Sequence, residues 1–368
     1  MFFKPKTRTT ADLPPARQFT GQGIICISGL YKCGTSWLSL ALGSHPDALA
    51  LPELDIVRAF GHEYETPLRP RTPQERIRYL LTASNYGRLP AVVTALDKTP
   101  SSHELYDYLE TNSSKRIFIK NAFTGTEYIR LKSNPSGGSS GRLQRYCTYW
   151  DLDETSAQQL CNLCCDANPA DEAIRRFAAL HAGFSGKRVI FKSADQINFL
   201  HHIERILPDA QRVVIIRDGR DMAISASKFE TYIKKKTHFA DVWNMAAVDF
   251  WTRLEQWAHV ATVIKNAEAD GRIILLRYED LHAAFEHTLG QLLHRCGLSV
   301  SAQILADIRR NTSFAKMSGG RNKGEEDLAS NIRRGITGEW REVLDGASKA
   351  RAWAVAGSAL EMFGYTKN

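Results

Sequence analysis

The chain has 368 residues, 43% hydrophobic and 24% charged, the composition of a globular protein able to bury a core. Its 48 Lys and Arg outnumber its 40 Asp and Glu, giving a net charge of +8 and a pI near 9.1, so an anionic partner is expected: a nucleotide, a nucleic acid, an acidic polymer or a membrane surface. No apolar run is long enough to cross a bilayer, and the basic start, broken by Pro14 and Pro15, lacks the apolar core of a secretory signal; a soluble cytoplasmic protein is the expectation.

Residues 1–22 read as an irregular arm and 23–368 as one domain. The run 23–29, GIICISG, is short, apolar and β-branched and ends in glycine, which fits a buried strand. After a loop, TSWLSLALG has helical spacing, with Trp37, Leu38, Ala41 and Leu42 on one side, and stops at Gly43 and Pro46. Further strands are expected at 91–97, 116–120, 187–192, 211–217 and 272–278. Most are continuously apolar, as strands buried on both faces of a parallel sheet are. Helices are expected at 171–182, 196–206, 220–230, 243–269 and 281–296. Strands alternating with helices predict an α/β fold, three layers with a central parallel sheet. The segments 56–90 and 121–186 carry no trusted motif and are assigned to the acceptor side; 133–142 is a flexible loop by composition, and 318–335 a mobile lid. Seven cysteines include Cys161, Cys164 and Cys165, but no second pair at zinc-ribbon spacing accompanies them, so free thiols are expected rather than a metal site.

The loop between first strand and first helix, GLYKCGTSWL, resembles a phosphate loop with its lysine displaced. Gly29 and Gly34 keep the nucleotide-loop spacing, but Thr35 stands where the lysine of G-x-x-x-x-G-K-[ST] belongs, and Lys32 lies inside the loop. Lys32, the amides of Cys33, Gly34, Thr35, Ser36 and Trp37, and two hydroxyls can surround an anion at a helix start. No convincing Mg²⁺ ligand pair follows, so a less charged transferring group, such as sulfuryl, suits the loop and no metal is expected.

Two further constellations carry charge. In RVVIIRDGRDMAISASKF, Arg217 ends a strand and Ser225 lies eight residues on, in the following helix; together they can grip a phosphate, or Arg217 can simply pair with Asp218 or Asp221. In NTSFAKM and NIRRGITGEW, Thr312 and Phe314 precede Arg333, Arg334 and Gly335. Two cations beside uncovered backbone suit a second phosphate, and Phe314 is either a base-stacking ring or core.

Taken in order, these motifs resemble the sulfotransferases that use 3′-phosphoadenosine 5′-phosphosulfate (PAPS). YKCGTSW is similar to their Y-P-K-S-G-T-T-W loop, with Cys33 for the usual serine. RDGRDMAISAS is similar to their 3′-phosphate motif, RYEDL (with Tyr278) to the Y-E-D-L that follows, NTSFAKM to T-S-F-x-x-M, and RRGITGEW to R-K-G-x-x-G-x-W. Five motifs fall in family order over 24–340. SHPDALALPE and LDKTPSS resemble stretches of the Golgi-type and bacterial branch.

The resemblance implies a P-loop-like sulfotransferase fold and transfer of a sulfuryl group from PAPS to a hydroxyl or amine of a small molecule or glycan, without a metal and without nucleic acid as partner. It implies Lys32 and Lys98 as cations beside the sulfuryl group. Ala194 stands where the cytosolic type has a catalytic histidine, so Glu53 is implied as the general base, with Asp55, His45 and Asp195 behind it. Two rivals stay open: a nucleotide-dependent kinase with a degenerate loop, and a non-catalytic polyanion-binding protein. Lys234, Lys235 and Lys236 are either a solvated helix face or a seat for an acidic acceptor. The acceptor and the oligomeric state are not readable from the sequence.

Overall fold

The computed structural model describes residues 19–53, 116–117, 129–131, 143–144, 175, 178–179, 182, 186–194, 197, 200–236, 248–328, 330 and 332–368. A five-stranded sheet is built from β1 (Ile24–Ser28), β2 (Ala48–Glu53), β6 (Arg188–Lys192), β7 (Gln211–Ile216) and β8 (Ile274–Arg277), in the order β2-β6-β1-β7-β8. It is parallel and flanked by helices, the α/β arrangement expected of a P-loop-like sulfotransferase fold. A second sheet has three short antiparallel strands, β3 (Arg116–Ile117), β4 (Ile129–Leu131) and β5 (Leu143–Gln144), in sequence order.

The chain divides into two compact units. The first comprises Met1–Ile25, Asp47–Phe191 and Phe199–Ala210, and the second Cys26–Pro46, Lys192–Asn198 and Gln211–Asn368. In the first unit, Val189 N–H donates to Gly23 O at 2.8 Å and Arg188 N–H to Asp47 O at 2.9 Å, pairing the strand edges. Its helix α2 (Leu200–Ile206) buries Leu200, His202, Ile203 and Ile206.

The second unit holds the motifs. Continuous burial of β-branched residues explains β7: Val213, Val214, Ile215 and Ile216 are all fully buried, as a strand covered on both faces requires. β7 and β8 run parallel with Ile216 opposite Arg277, so Arg217 and Tyr278 both emerge one residue past the paired ends, at the same sheet edge. That carboxyl edge is where open α/β sheets bind ligands. The helices of this unit are α1 (Thr35–Gly43), α3 (Gly219–Lys236), α4 (Phe250–Ala269), α5 (Tyr278–Ala283), α6 (Phe285–Arg295), α7 (Ala302–Asn311), α8 (Phe314–Ser318), α9 (Trp340–Val343) and α10 (Gly346–Met362). α4 packs against α3 and α10. Its Trp257 is fully buried and donates from Nε1 to Arg217 O at 3.0 Å, fixing the end of β7. A Cβ at Gly219 would lie 2.4 Å from the Trp257 ring, so only glycine lets α3 start there. Truncating a core Trp of this kind typically costs about 3–5 kcal/mol.

Several expected elements shift. The helix expected over 243–269 begins at Phe250, because Asp249 accepts from the amides of Trp251 and Thr252 as a side-chain cap. The helix expected over 281–296 starts at Tyr278 and is two helices, broken at Ala284, whose φ of −133° and ψ of 60° leave the helical region. β2 has no counterpart among the strands expected from the sequence. The 220–230 helix extends to Lys236, and the 196–206 helix holds its form from Leu200. The strand expected at 91–97, the flexible loop at 133–142, the cysteine cluster and the side chains of Lys234, Lys235 and Lys236 lie outside the described residues.

Candidate active site

The loop from Gly29 to Gly34 turns sharply between β1 and α1. Gly29 has φ 157°, and a Cβ there would meet Ile215 O at 2.4 Å; Gly34 has φ 101°, and a Cβ would lie 2.6 Å from the Tyr278 ring. At Gly34 glycine is therefore required twice, by conformation and by space. Lys32 is, among the described residues, the single non-glycine with positive φ, at 66°. α1 has no side-chain cap and no acidic residue in its first turn. Cys33 N–H is spent on Leu30 O at 3.1 Å and Leu38 N–H returns to Gly34 O, while the amides of Gly34, Thr35, Ser36 and Trp37 meet no acceptor among the described residues. Free amides on a positive helix end are an anion cradle.

Cys33 contributes its backbone rather than its sulfur. Its thiol is completely buried, and burial pushes it up to about 12, with Arg217 pulling the other way. Thr35 is also buried, whereas Ser36 is half-buried. Lys32 folds its ammonium over the Phe229 ring, 3.4 Å from the centroid, with Tyr31 at 5.0 Å. A cation held on an aromatic face is a retained charge that a nearby anion can recruit. Trp37 stacks on Phe285 with centroids 5.8 Å apart and meets Tyr278 edge-on at 5.4 Å.

Arg217 is buried and central. It donates from its two terminal nitrogens to Lys32 O at 3.5 Å and Ile336 O at 2.8 Å, and it faces the Tyr278 ring at 4.7 Å. Asp221 lies 3.6 Å away, so Arg217 takes up the simple ion pair and also links the phosphate loop to the C-terminal segment. Burial raises the Asp221 carboxyl, Arg217 opposing it, and Asp221 accepts from the amides of Gly338 and Trp340. Asp218 pairs instead with Arg220 at 2.7 Å. Ser225 is buried one helical turn beyond Asp221, and Lys228 follows three residues later on the same face of α3. Trp37 Nε1, Arg217 Nε and Arg333 Nε, on three of the predicted site residues, are buried nitrogens that meet no hydrogen-bond partner among the described residues. Buried donors left open in this way fit a ligand that supplies acceptors.

Thr312 and Phe314 have structural partners. Thr312 Oγ1 donates to Ile308 O at 2.8 Å, and the Phe314 ring lies so close to Gly335 that a Cβ there would be 2.2 Å away. With φ 66°, Gly335 can only be glycine without strain, and its carbonyl faces His282 Nε2 at 3.0 Å. Arg333 contacts Glu326 and both oxygens of Glu339; Arg334 reaches Glu339 at 3.2 Å and donates to Gly324 O. Lys228 also reaches both carboxylates, Glu326 at 3.3 Å and Glu339 at 3.1 Å. Burial alone would raise Glu339, but hydrogen bonds and charge from Arg333, then Lys228, hold it down at about 2. The segment 318–335 is stitched to itself by Gly324 N–H to Arg334 O and Asp327 N–H to Arg333 O.

Sequence reasoning alone misses Lys228, Glu326 and Glu339 as site residues, and gives Asp221 only as a partner for Arg217. Lys228 carries a usable signal, because it sits at helical spacing from Asp221 and Ser225; the two glutamates, distant in sequence from α3, carry none. His45 is buried with Nε2 2.9 Å from Ser299 O, which is a structural bond. Ala194 is buried. Glu53 closes β2, its side chain outside the described residues, as are Lys98, Asp55 and Asp195.

A family model described as "Sulfotransferase family" matches residues 25–302. No curated protein matches the chain. Among solved structures, the sulfotransferase domain from the curacin biosynthetic pathway is 14% identical with a TM-score of 0.50, covering 93% of this chain and 97% of that one. A mouse sulfotransferase complexed with PAP is 12% identical, with a TM-score of 0.47 and coverages of 93% and 85%. The sulfotransferase domain of an olefin synthase from Synechococcus PCC 7002 is 14% identical, with a TM-score of 0.45 and coverages of 93% and 95%. Among the described residues no helix is long and apolar enough to cross a membrane. The glycine-pinned loop, the arginine at the end of β7 and a match over three quarters of the length converge: the chain belongs to the sulfotransferase family.

Proposed function

We propose that this protein transfers a sulfuryl group from PAPS to a hydroxyl or amine of a small-molecule or glycan acceptor, in the cytoplasm, by in-line displacement that needs no metal. The observation that carries the reading is the row of unspent amides from Gly34 to Trp37 beside Lys32, a cradle whose fixed partial charge and one movable cation suit a phosphosulfate. The α1 amides hold the 5′-phosphate. Lys32 leaves the Phe229 face and neutralises charge developing on the bridging oxygen as the sulfur–oxygen bond breaks. Arg217 and Ser225, with Arg333, Arg334 and the Gly335 backbone, take the 3′-phosphate, while Trp37, Thr312, Phe314 and Tyr278 frame the base. Glu53 is the proposed proton acceptor for the nucleophile, with Lys98 as a second cation at the sulfuryl group.

A carboxylate with an ordinary value near 4.3 is a weak base, so Glu53 must be raised by its surroundings to serve. Calorimetry with PAP, the desulfated product, tests the nucleotide reading. Binding that survives EDTA and weakens strongly when 5′-AMP replaces PAP is expected. A kinase would need ATP and Mg²⁺, and a polyanion binder would show steep salt dependence without nucleotide preference. Mass spectrometry of products formed from PAPS and a cell extract identifies the acceptor.

A further inference from the structure

Three cations, Lys228, Arg333 and Arg334, converge on two carboxylates in the C-terminal segment, and the two carboxylates differ in kind. Glu339 has a fully buried side chain, starts α9, and is held by all three cations. Glu326 is 36% exposed and, among the described residues, is held by Lys228 and Arg333. The backbone around Glu326 is fixed without its side chain: Arg321 donates to Glu325 O, Ile332 O and Arg333 O, Gly324 N–H donates to Arg334 O, and Asp327 N–H to Arg333 O. The Glu326 carboxylate can therefore swing out while the segment keeps its fold.

Charge counting separates the two states. With both carboxylates in place the cluster carries a surplus of one positive charge. With Glu326 withdrawn the surplus is two, which matches a phosphate monoester of about −1.5 to −2. A phosphate also offers the same acceptor oxygens to an arginine fork and an ammonium as the carboxylate it replaces. Lys228 completes the arrangement, since it lies one turn past Ser225 on α3 while touching the same carboxylates as Arg333.

We infer that Glu326 is a resident counter-anion standing in the 3′-phosphate position, that nucleotide binding displaces it, and that Lys228 is a further ligand of that phosphate. The inference rests on the PAPS reading of the site and names how its 3′ end is kept in order before the nucleotide arrives. A carboxylate holding Arg333 and Lys228 keeps the arginine preorganised and closes the cluster to weakly held monoanions until a phosphate monoester displaces it.

The test compares PAP with 5′-AMP by calorimetry on full-length wild type, Glu326→Gln and Lys228→Gln. Glu326→Gln is expected to tighten PAP several-fold and leave 5′-AMP unchanged. Lys228→Gln is expected to weaken PAP about ten-fold or more, again with 5′-AMP unchanged. If Glu326→Gln weakens PAP, or shifts PAP and 5′-AMP equally, the carboxylate is a structural strut and the inference is overturned. If Lys228→Gln leaves PAP unchanged, Lys228 is no ligand. Circular dichroism and urea unfolding of both variants separate a binding change from misfolding. Failure of wild type to prefer PAP over 5′-AMP overturns the underlying PAPS reading instead, so the two failures are distinct.

Discussion

The two ends of the proposed nucleotide site are made of different materials. The loop from Gly29 to Trp37 presents backbone: open amides, a helix start without a carboxylate, glycines at Gly29 and Gly34, and one lysine resting on an aromatic ring. The segment from Thr312 to Trp340 presents side-chain charge, and that charge is already answered, by Glu339 permanently and by Glu326 at the surface. In the proposed reading the first holds its anion by geometry and the second by exchange. Fixed dipoles need no counter-ion, whereas three close cations without one would repel each other, and burying them unpaired would be costly. In the proposed site the loop end thus relies on fixed backbone dipoles, while the charged end is held neutralised until the nucleotide arrives.

The largest expected effect falls on the loop end. Lys32→Ala should lower kcat by about 100- to 1,000-fold, since a charge aimed at a developing anion is removed. PAP affinity should fall far less, and a steady-state assay with PAPS separates the two. Equal losses in affinity and turnover would place Lys32 in ground-state binding. Glu53→Gln should behave similarly, with turnover lost and PAP binding kept.

The glycines sharpen the contrast. Gly34→Ala and Gly335→Ala each force a methyl into an aromatic ring and a left-handed backbone, and each should cost about 1–3 kcal/mol by urea unfolding. Their binding effects should differ: Gly34→Ala weakens PAP and 5′-AMP alike, while Gly335→Ala weakens PAP more.

The charged end should be the acid-sensitive one. Glu339 is held at about 2, below its usual 4.5. A depressed carboxylate contributes stability that is complete above 4.5 and is lost as pH falls through the folded value, so the loss spans roughly pH 4.5 to 2. Thermal unfolding of wild type should show that decline, and Glu339→Gln should flatten it. The smallest effect concerns Cys33: with its thiol buried and pushed up to about 12, iodoacetamide at pH 8 should leave it unmodified in the native protein and label it on unfolding.

The same contrast explains how much of the molecule is legible in its sequence. β7 and the α1 loop are legible because their signals are local: a continuous apolar run, a glycine pair at fixed spacing, a helix immediately after. The break at Ala284 is not, because 281–296 keeps helical spacing through it and only the backbone turn reveals two helices. The answering glutamates are invisible because ion pairs between α3 and the 326–339 segment have no spacing rule in sequence. Asp221 reads in sequence as one possible partner for Arg217, yet it also anchors the amides of Gly338 and Trp340. Motif residues announce which ligand is held; the residues that hold the motif in place are announced by tertiary contact alone.

A crystal structure with PAP bound measures the central claim most directly. It should show the 5′-phosphate on the amides of Gly34 to Trp37 with Lys32 lifted from Phe229, and the 3′-phosphate on Arg217, Ser225 and Arg333. A nucleotide lodged elsewhere, with Lys32 still on its ring and Arg217 remote from both phosphates, would contradict it.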